Sequence, residues 1–95
     1  MPEVRFRVRW PDERVEVCYS PSTVIKEVFK PGEAYSLADF LARSEDGLTR
    51  ASDRVRQLHG FACANANNQL IEIRRSAAAF ADLPDARVTV EAFED

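Results

Sequence analysis

The sequence predicts an α+β fold: a two-layer sandwich in which an antiparallel pair of helices covers one face of a three-stranded sheet. Two observations lead to this prediction. Segments near both ends of the chain alternate with the two-residue period of a strand, and two long segments between them repeat with the period of an amphipathic helix. The predicted order is β-β-α-α-α-β, with a short helix after the second strand, in a single domain over residues 1–95.

The predicted sheet consists of a β-hairpin and a C-terminal strand. Apolar residues alternate with arginines over residues 4–10, which is typical of a strand with one buried face. A turn at 11–13 leads into the second strand, and residues 87–92 predict the third strand, whose direction the pattern leaves open. In the second strand, the alternating apolar residues are Val15, Val17 and Tyr19. We expect the first strand to be central.

Two long helices are predicted between the hairpin and the last strand. Ser36 and Asp39 form an acidic variant of the capping box at the start of the first helix, and Gly60 ends it in a left-handed conformation. The apolar stripe of the first long helix is Leu37, Leu41, Leu48, Ala51, Val55 and Leu58, with a polar break at Ser44, and that of the second is Ala66, Leu70, Ile73, Ala77 and Phe80. Because only a few residues join the two helices, they must lie antiparallel.

The charge balance disfavours some classes of partner. Thirteen Lys and Arg face sixteen Asp and Glu, a net charge of -3, so nucleic acid and anionic membranes are not expected partners. The chain shows no signal peptide and no apolar run near the roughly 18 residues of a membrane span, which predicts a cytoplasmic protein with reduced thiols. A homo-oligomer is compatible with the sequence.

The arginine stripe of the first strand, Arg5, Arg7 and Arg9, has two interpretations. The three guanidinium groups would lie about 7 Å apart on one sheet face, where an anion or an acidic protein partner could dock. Alternatively, Glu16 and Glu91 lie opposite the arginines and neutralise them by cross-strand pairing. The stripe is therefore a candidate interaction surface or a solvated, paired face.

Two further segments are candidates for chemistry. Ser20, Ser22 and Thr23 surround the start of the short helix, where free N–H groups could hold an anion or ligand, or where the hydroxyls cap their own backbone. Cys63 stands near the start of the second long helix and is a candidate reactive thiol, although a small buried residue is the plainer interpretation. The spacing of Cys and His fits no zinc motif, so no metal, cofactor or catalytic residue is predicted.

Beyond these patterns, the amino-acid sequences of several segments resemble those of a known family. The segments are Met1-Pro2-Glu3, Arg5-Phe6, Arg9-Trp10-Pro11-Asp12, Cys18-Tyr19-Ser20-Pro21-Ser22, Tyr35, Leu37-Ala38-Asp39-Phe40, Ala51-Ser52, Arg54-Val55, Gly60-Phe61-Ala62-Cys63, Gln69-Leu70 and Val88-Thr89-Val90-Glu91-Ala92-Phe93. Together they resemble a family of small bacterial proteins named for a nitrogen-starvation response in mycobacteria. One departure is the hairpin turn at 12–14, which lacks the glycine expected of the family.

The resemblance implies a pathway context but brings no catalytic residues. Members of the family are encoded in a nitrilase-containing gene cluster, with a radical SAM protein, an acetyltransferase, an aminoimidazole-ribonucleotide-synthase-like protein and a flavoprotein, and the cluster is connected with nitrogen scavenging and cyanide assimilation. We therefore expect a non-catalytic accessory protein that binds a protein encoded in this cluster, through the arginine-bearing sheet face or through an exposed strand edge. The alternative is a small ligand-binding protein or enzyme that uses Cys63 or the helix start at Ser20–Thr23.

Overall fold

The computed structural model describes residues 3–60, 64–83 and 85–94. The described elements are β1 (Val4–Arg9), β2 (Val15–Ser20), α1 (Ile25–Val28), β3 (Glu33–Ser36), α2 (Leu37–His59), α3 (Ala64–Ala78) and β4 (Arg87–Glu94). The strands form one antiparallel sheet in the order β2-β1-β4-β3. The expectation of an α+β fold with β1 inside the sheet is confirmed, and the direction of the C-terminal strand is now fixed.

The predicted three-stranded sheet is wrong, because the described chain forms a four-stranded one. Residues 33–36 pair antiparallel with β4 and make its second edge. Four residues, the last of which is the N-cap of the next helix, are too few to show a strand period. The pairing begins at Gly32, whose φ of 83° turns its N–H onto the Val90 carbonyl at 2.6 Å.

The first strand divides its side chains between the two faces as its alternation predicts. Val4, Phe6 and Val8 are fully buried on the face that carries the helices, the inner face. At the end of this strand Trp10 packs its ring on Phe80 at a centroid distance of 6.0 Å. Other buried residues of this core are Phe29, Phe40, Leu48, Leu70, Ile73, Val88 and Val90.

The caps predicted for α2 are confirmed, but its predicted stripe is only partly correct. The Ser36 hydroxyl accepts a bond from the Asp39 N–H at 3.2 Å, and Gly60 has a φ of 82°. Buried residues of α2 end at Ala51, and Leu58 is 61% exposed. The reason is length, since 23 residues span about 34 Å whereas a six-residue strand spans about 20 Å. The end of α2 therefore has little sheet beneath it.

The second long helix packs beside α2 as its stripe predicts. Ala66, Leu70, Ile73 and Ala77 are buried. Phe80, the last residue of the predicted stripe, is also buried but lies beyond the end of α3. In the first half of α2, Glu45 forms an ion pair of 3.3 Å with Arg74 in the second half of α3. Farther along α2, Leu48 to Arg56 line a cleft with Ala64 to Leu70 of α3. These contacts run in opposite directions, so the antiparallel arrangement is confirmed.

The short helix α1 begins later than the sequence suggested. Its first residue is Ile25, and its N-cap is Val24, which makes no side-chain cap bond. Ser20 therefore does not cap it. The helix packs against α2 at Gly47, where a Cβ atom would approach Ile25 Cδ1 and Val28 Cγ2 to 2.8 Å each. Only a residue without a side chain allows α1 this close approach.

Candidate interaction surface

The arginines of β1 lie on the side of the sheet opposite the helices, which we call the outer face. Because residues in register on neighbouring strands share a face, the pairing defines the rest of this surface. Arg5, Arg7 and Arg9 pair with Tyr19, Val17 and Val15 of β2, and with Glu94, Ala92 and Thr89 of β4. The outer face therefore carries an apolar row on β2, a cationic row on β1 and acidic residues on β4.

Each arginine of the stripe has an acidic partner on this face. Arg9 contacts Glu91 through Nε at 2.8 Å and Nη2 at 2.6 Å, and Arg7 is paired with Glu94. Arg5 lies 3.4 Å from the Glu3 carboxylate. Pairs at such exposure contribute only about 0.2–1 kcal/mol each to stability. Their main effect is on charge, because they place a negative side chain beside each arginine and so prevent the outer face from being a purely cationic patch.

A β-bulge explains how Glu91 reaches Arg9. The register of β1 with β4 shifts between Arg7, opposite Ala92, and Val8, opposite Val90. This shift leaves Glu91 as the extra residue of β4, and a bulge re-aims the side chain at such a position. The expectation that Glu91 lies with the arginines is thus met by an irregularity that sequence alternation does not show.

Glu16 lies on the inner face and not beside the arginines. Its carboxylate accepts the indole N–H of Trp10 at 2.9 Å and the hydroxyl of Ser76 at 3.2 Å. Because Glu16 points inward, Val15 and Val17 point outward and are 45% and 52% exposed. The prediction that Glu16 lies on the same face as the arginines is therefore wrong. The outer face carries the exposed apolar row of β2 next to the arginine stripe instead.

In the segment from Ser20 to Thr23, the hydroxyl groups of the two serines bond within their own loop. Ser20 Oγ donates to the Ser22 carbonyl at 2.8 Å and accepts the Ser22 N–H at 3.3 Å. Ser22 Oγ accepts the Val24 N–H at 3.3 Å. Both serines are buried, at 0% and 2% exposure, whereas Thr23 is exposed. The local geometry corresponds to a loop that satisfies its own backbone.

The sulfur chemistry of the described chain is confined to Cys18, because Cys63 lies outside the described residues. The Cys18 side chain is fully buried on the inner face. Burial raises the pKa of its thiol well above the usual range, and the nearby Glu16 carboxylate raises it further. Within 3–60, 64–83 and 85–94, no group of three or more His, Cys, Asp or Glu residues could hold a metal ion.

A cleft of about 440 Å³ opens between the second half of α2 and the start of α3. Its base is formed by Leu48, Ala66 and Leu70. Polar groups of Thr49, Ser52, Asp53, Arg56 and Asn67 surround it. Asp53 and Arg56 are 3.9 Å apart, so the rim offers both an anion and a cation to a small molecule.

The comparison with known proteins places this architecture in a family. A family model described as nitrogen starvation-induced protein NitG matches residues 5–93. The chain belongs to the NitG family. The NitG match extends from β1 to β4 and so includes both the outer face and the helical cleft. The resemblance to a nitrogen-starvation response family is confirmed. Neither a curated protein nor a solved structure matched the chain.

None of the helices in the described ranges combines the length and the apolar character needed to cross a bilayer. The longest of them, α2, has charged residues throughout its length.

Proposed function

We propose that this chain is a non-catalytic accessory protein of the nitrogen-starvation response that binds a protein partner on the outer face of its sheet. The single observation that supports this most is the uncovered outer face, where the exposed Val15 and Val17 lie directly beside the arginine stripe. Apolar contact area next to charged groups is the usual composition of a protein–protein interface.

The arginine stripe is suited to this role despite its ion pairs. Glu91 contacts Arg9 through Nε and Nη2, which leaves further N–H donors of the same guanidinium for a second carboxylate. The pairs also hold the long side chains in place, so less rotamer entropy is lost when a partner binds. A partner with acidic side chains around an apolar centre fits this surface.

The nitrogen-starvation family indicates where such a partner is to be sought. We propose that it is an enzyme encoded in the nitrilase gene cluster that the resemblance implies, acting in nitrogen scavenging, including cyanide assimilation. The place of encounter would be the cytoplasm. An accessory role of this kind needs no cofactor, and its affinity would come from the outer face rather than from an enclosed pocket.

Direct binding measurements test the proposal. The protein is immobilised and exposed to each purified enzyme of the cluster, and in parallel it is used to capture them from nitrogen-starved cells. We expect one enzyme to bind, and we expect Arg5→Ala/Arg7→Ala/Arg9→Ala to weaken that binding by about tenfold or more. The matched control is Arg50→Ala/Arg54→Ala/Arg74→Ala, which removes the same charge from the helical layer. Binding of no cluster enzyme, or equal loss in both variants, would refute the proposal.

The cleft between α2 and α3 favours a second candidate function, the binding of a small molecule. Its rim pairs Asp53 with Arg56 beside Asn67, a set that suits a small polar compound with both an amino and an acidic group. To find such a ligand, the thermal unfolding temperature is measured while amino acids are titrated into the protein, and a ligand should raise it. Arg56→Ala should then abolish the rise in unfolding temperature, while Arg54→Ala, on the same helix but not lining the cleft, should preserve it.

A further inference from the structure

The strand β2 forms one edge of the sheet, and some of its backbone N–H and C=O groups point away from β1 toward the open edge. The Tyr19 N–H points away from β1, because it donates to the side-chain Oε1 of Gln69 on α3 at 2.9 Å. Backbone N–H groups alternate in direction along a strand, so those of Val15 and Val17 point toward the same open edge. These two residues are also among the most exposed large apolar residues of the described chain.

We propose that a second copy of this chain pairs with β2 across this edge, antiparallel and centred on Val17. The two four-stranded sheets would then join into one continuous sheet with a two-fold axis at Val17. Each Val17 would exchange two backbone hydrogen bonds with Val17 of the second copy. This interface goes beyond the partner surface proposed above, because it uses the strand edge and not the arginine stripe.

The strand layer is complementary to itself in this register. On the outer face, Val17 meets Val17 of the second copy and Val15 meets its Tyr19, which are β-branched and aromatic cross-strand pairs. On the inner face, Glu16 lies opposite Cys18. A register centred on Glu16 would instead place the two Glu16 carboxylates directly opposite each other, and like charges in that position are destabilising.

The helix layer selects the same register independently. Gln69 of α3 contacts Tyr19, and Ser76 contacts Glu16, so α3 runs antiparallel to β2. From Tyr19 to Val17 the strand advances about 7 Å, which corresponds to between four and five residues of helix at about 1.5 Å each. The two-fold axis therefore passes α3 between residues 73 and 74.

Opposite charges then face each other across the axis. Glu72 and Arg75 lie at equal distances on either side of it, so Glu72 of each copy meets Arg75 of the other. Within one chain they are already an ion pair of 3.1 Å, and in the dimer they form a four-charge cluster. If the axis passed through Glu16 instead, Arg75 of one copy would lie near Arg75 of the other, and the two positive charges would repel each other. Charge complementarity thus identifies the occupant of this edge as a second copy.

Gln69 closes the edge in the single chain. Its side chain takes the Tyr19 N–H, which is one way a protein protects an exposed edge. In the dimer, the Val15 carbonyl of the second copy replaces this acceptor, and Gln69 turns outward. The other edge, β3, is a poorer candidate, because it has only four residues and begins with the exposed Glu33.

The mass of the purified protein tests this inference. Sedimentation velocity over a concentration series should show a shift from the 10.7 kDa chain toward twice that mass. Val17→Lys places two like charges opposite each other and should raise the dissociation constant by about tenfold or more. Ala34→Lys, which adds the same charge on the exposed β3 edge, is the matched control and should leave it unchanged. A mass of one chain at every concentration, or a dimer indifferent to Val17→Lys, would overturn the inference.

Two more variants test the register. Glu72→Arg should weaken the dimer, and Glu72→Arg/Arg75→Glu should restore it, because the exchanged pair is again complementary. In a Cys63→Ser background, Val17→Cys should form a disulfide-linked dimer on oxidation, since paired residues across an antiparallel ladder lie about 5.5 Å apart. Ala34→Cys should not. Failure of both the charge exchange and the cross-link would exclude the Val17 register. Val17 belongs both to this edge and to the outer face proposed for the enzyme, so the two proposals are separated by other variants. Glu72→Arg changes only the helical layer, and Arg5→Ala/Arg7→Ala/Arg9→Ala leaves the β2 edge and the Glu72–Arg75 pair intact. Loss of the dimer in the first variant and loss of enzyme binding in the second are therefore separate results.

Discussion

The indole N–H of Trp10 donates a 2.9 Å hydrogen bond to Oε1 of Glu16. Trp10 is almost fully buried, so its N–H needs an acceptor inside the protein. Glu16 supplies that acceptor and also takes the Ser76 hydroxyl from α3. This one carboxylate therefore ties the end of β1, the edge strand β2 and the helix α3 together, and it fixes which face of β2 is turned to the core.

Removal of this carboxylate should destabilise the protein. Glu16→Ala leaves the buried indole N–H without an acceptor, at a cost of about 1–3 kcal/mol in the free energy of unfolding measured with urea. Glu16→Gln keeps an oxygen acceptor and should retain most of the stability. Glu91→Ala, which removes an exposed partner of Arg9, should cost less than about 1 kcal/mol. Equal losses for Glu16→Ala and Glu91→Ala would contradict this role of Glu16.

The facing of β2 shows where the sequence pattern was insufficient. Val15, Val17 and Tyr19 form an apolar row, and alternation alone assigns such a row to the core. The opposite row contains Glu16, Cys18 and Ser20 and faces the core, where Cys18 and Ser20 are fully buried and Glu16 accepts the Trp10 N–H. An edge strand can expose an apolar row, so its pattern does not fix its orientation by itself.

The strand β1 and the helix α3 were predictable because one row of each is clearly apolar. The α2 caps were predictable as well, since Ser36 and Gly60 act through their own backbone neighbourhood. The strand β3 was not, because four residues show no period and its pairing depends on β4, more than fifty positions away. The Arg9–Glu91 pair was anticipated only in outline, since it depends on a bulge that alternation cannot reveal.

The helix α1 and Gly47 of α2 provide a second test. Gly47→Ala gains helix propensity of about 1 kcal/mol, but its Cβ would lie 2.8 Å from Ile25 Cδ1 and from Val28 Cγ2. Overpacking costs about 1–3 kcal/mol, and the stiff Val28 side chain has little freedom to move away. We therefore expect a net loss of stability in urea unfolding.

A double-mutant cycle identifies the cause of that loss. Val28→Ala should cost less in the Gly47→Ala background than in the wild type, because it makes room for the new Cβ atom. Additive effects of the two substitutions, or a gain of stability for Gly47→Ala alone, would show that α1 moves freely to accommodate the methyl group.

The hairpin turn contains a strained residue at Glu13. Its φ is 70°, and its N–H bonds to the Trp10 carbonyl at 2.8 Å in a turn that requires a left-handed residue at this position. A left-handed backbone costs an ordinary residue about 1–2 kcal/mol, and glycine avoids this cost. Part of that gain, about 0.4–1 kcal/mol, is lost because glycine gives the unfolded chain more conformational entropy. Glu13→Gly should therefore raise the free energy of unfolding by about 0.5–1 kcal/mol.

Glu13→Ala is the matched control for this prediction. It removes the same charged side chain but keeps the Cβ atom and hence the strain, so its stability should remain near that of the wild type. If alanine stabilises the turn as much as glycine does, the gain comes from the loss of the carboxylate and not from the backbone.

The buried thiol of Cys18 predicts a dependence of stability on pH. Its pKa in the folded protein is raised above the ordinary value of 9.0, mainly by burial, so the folded chain keeps a proton that the unfolded chain releases in alkaline solution. The free energy of unfolding should therefore fall as the pH rises above about 9, by at most about 1.4 kcal/mol per pH unit.

Comparison of Cys63→Ser with Cys18→Ala/Cys63→Ser isolates this effect, because all other titrations cancel. The stability advantage of the protein that keeps Cys18 should narrow from pH 8 toward pH 10, and alkylation of the folded thiol should be slow throughout. A constant difference between the two proteins, or rapid alkylation at neutral pH, would show that the thiol reaches solvent in the folded state.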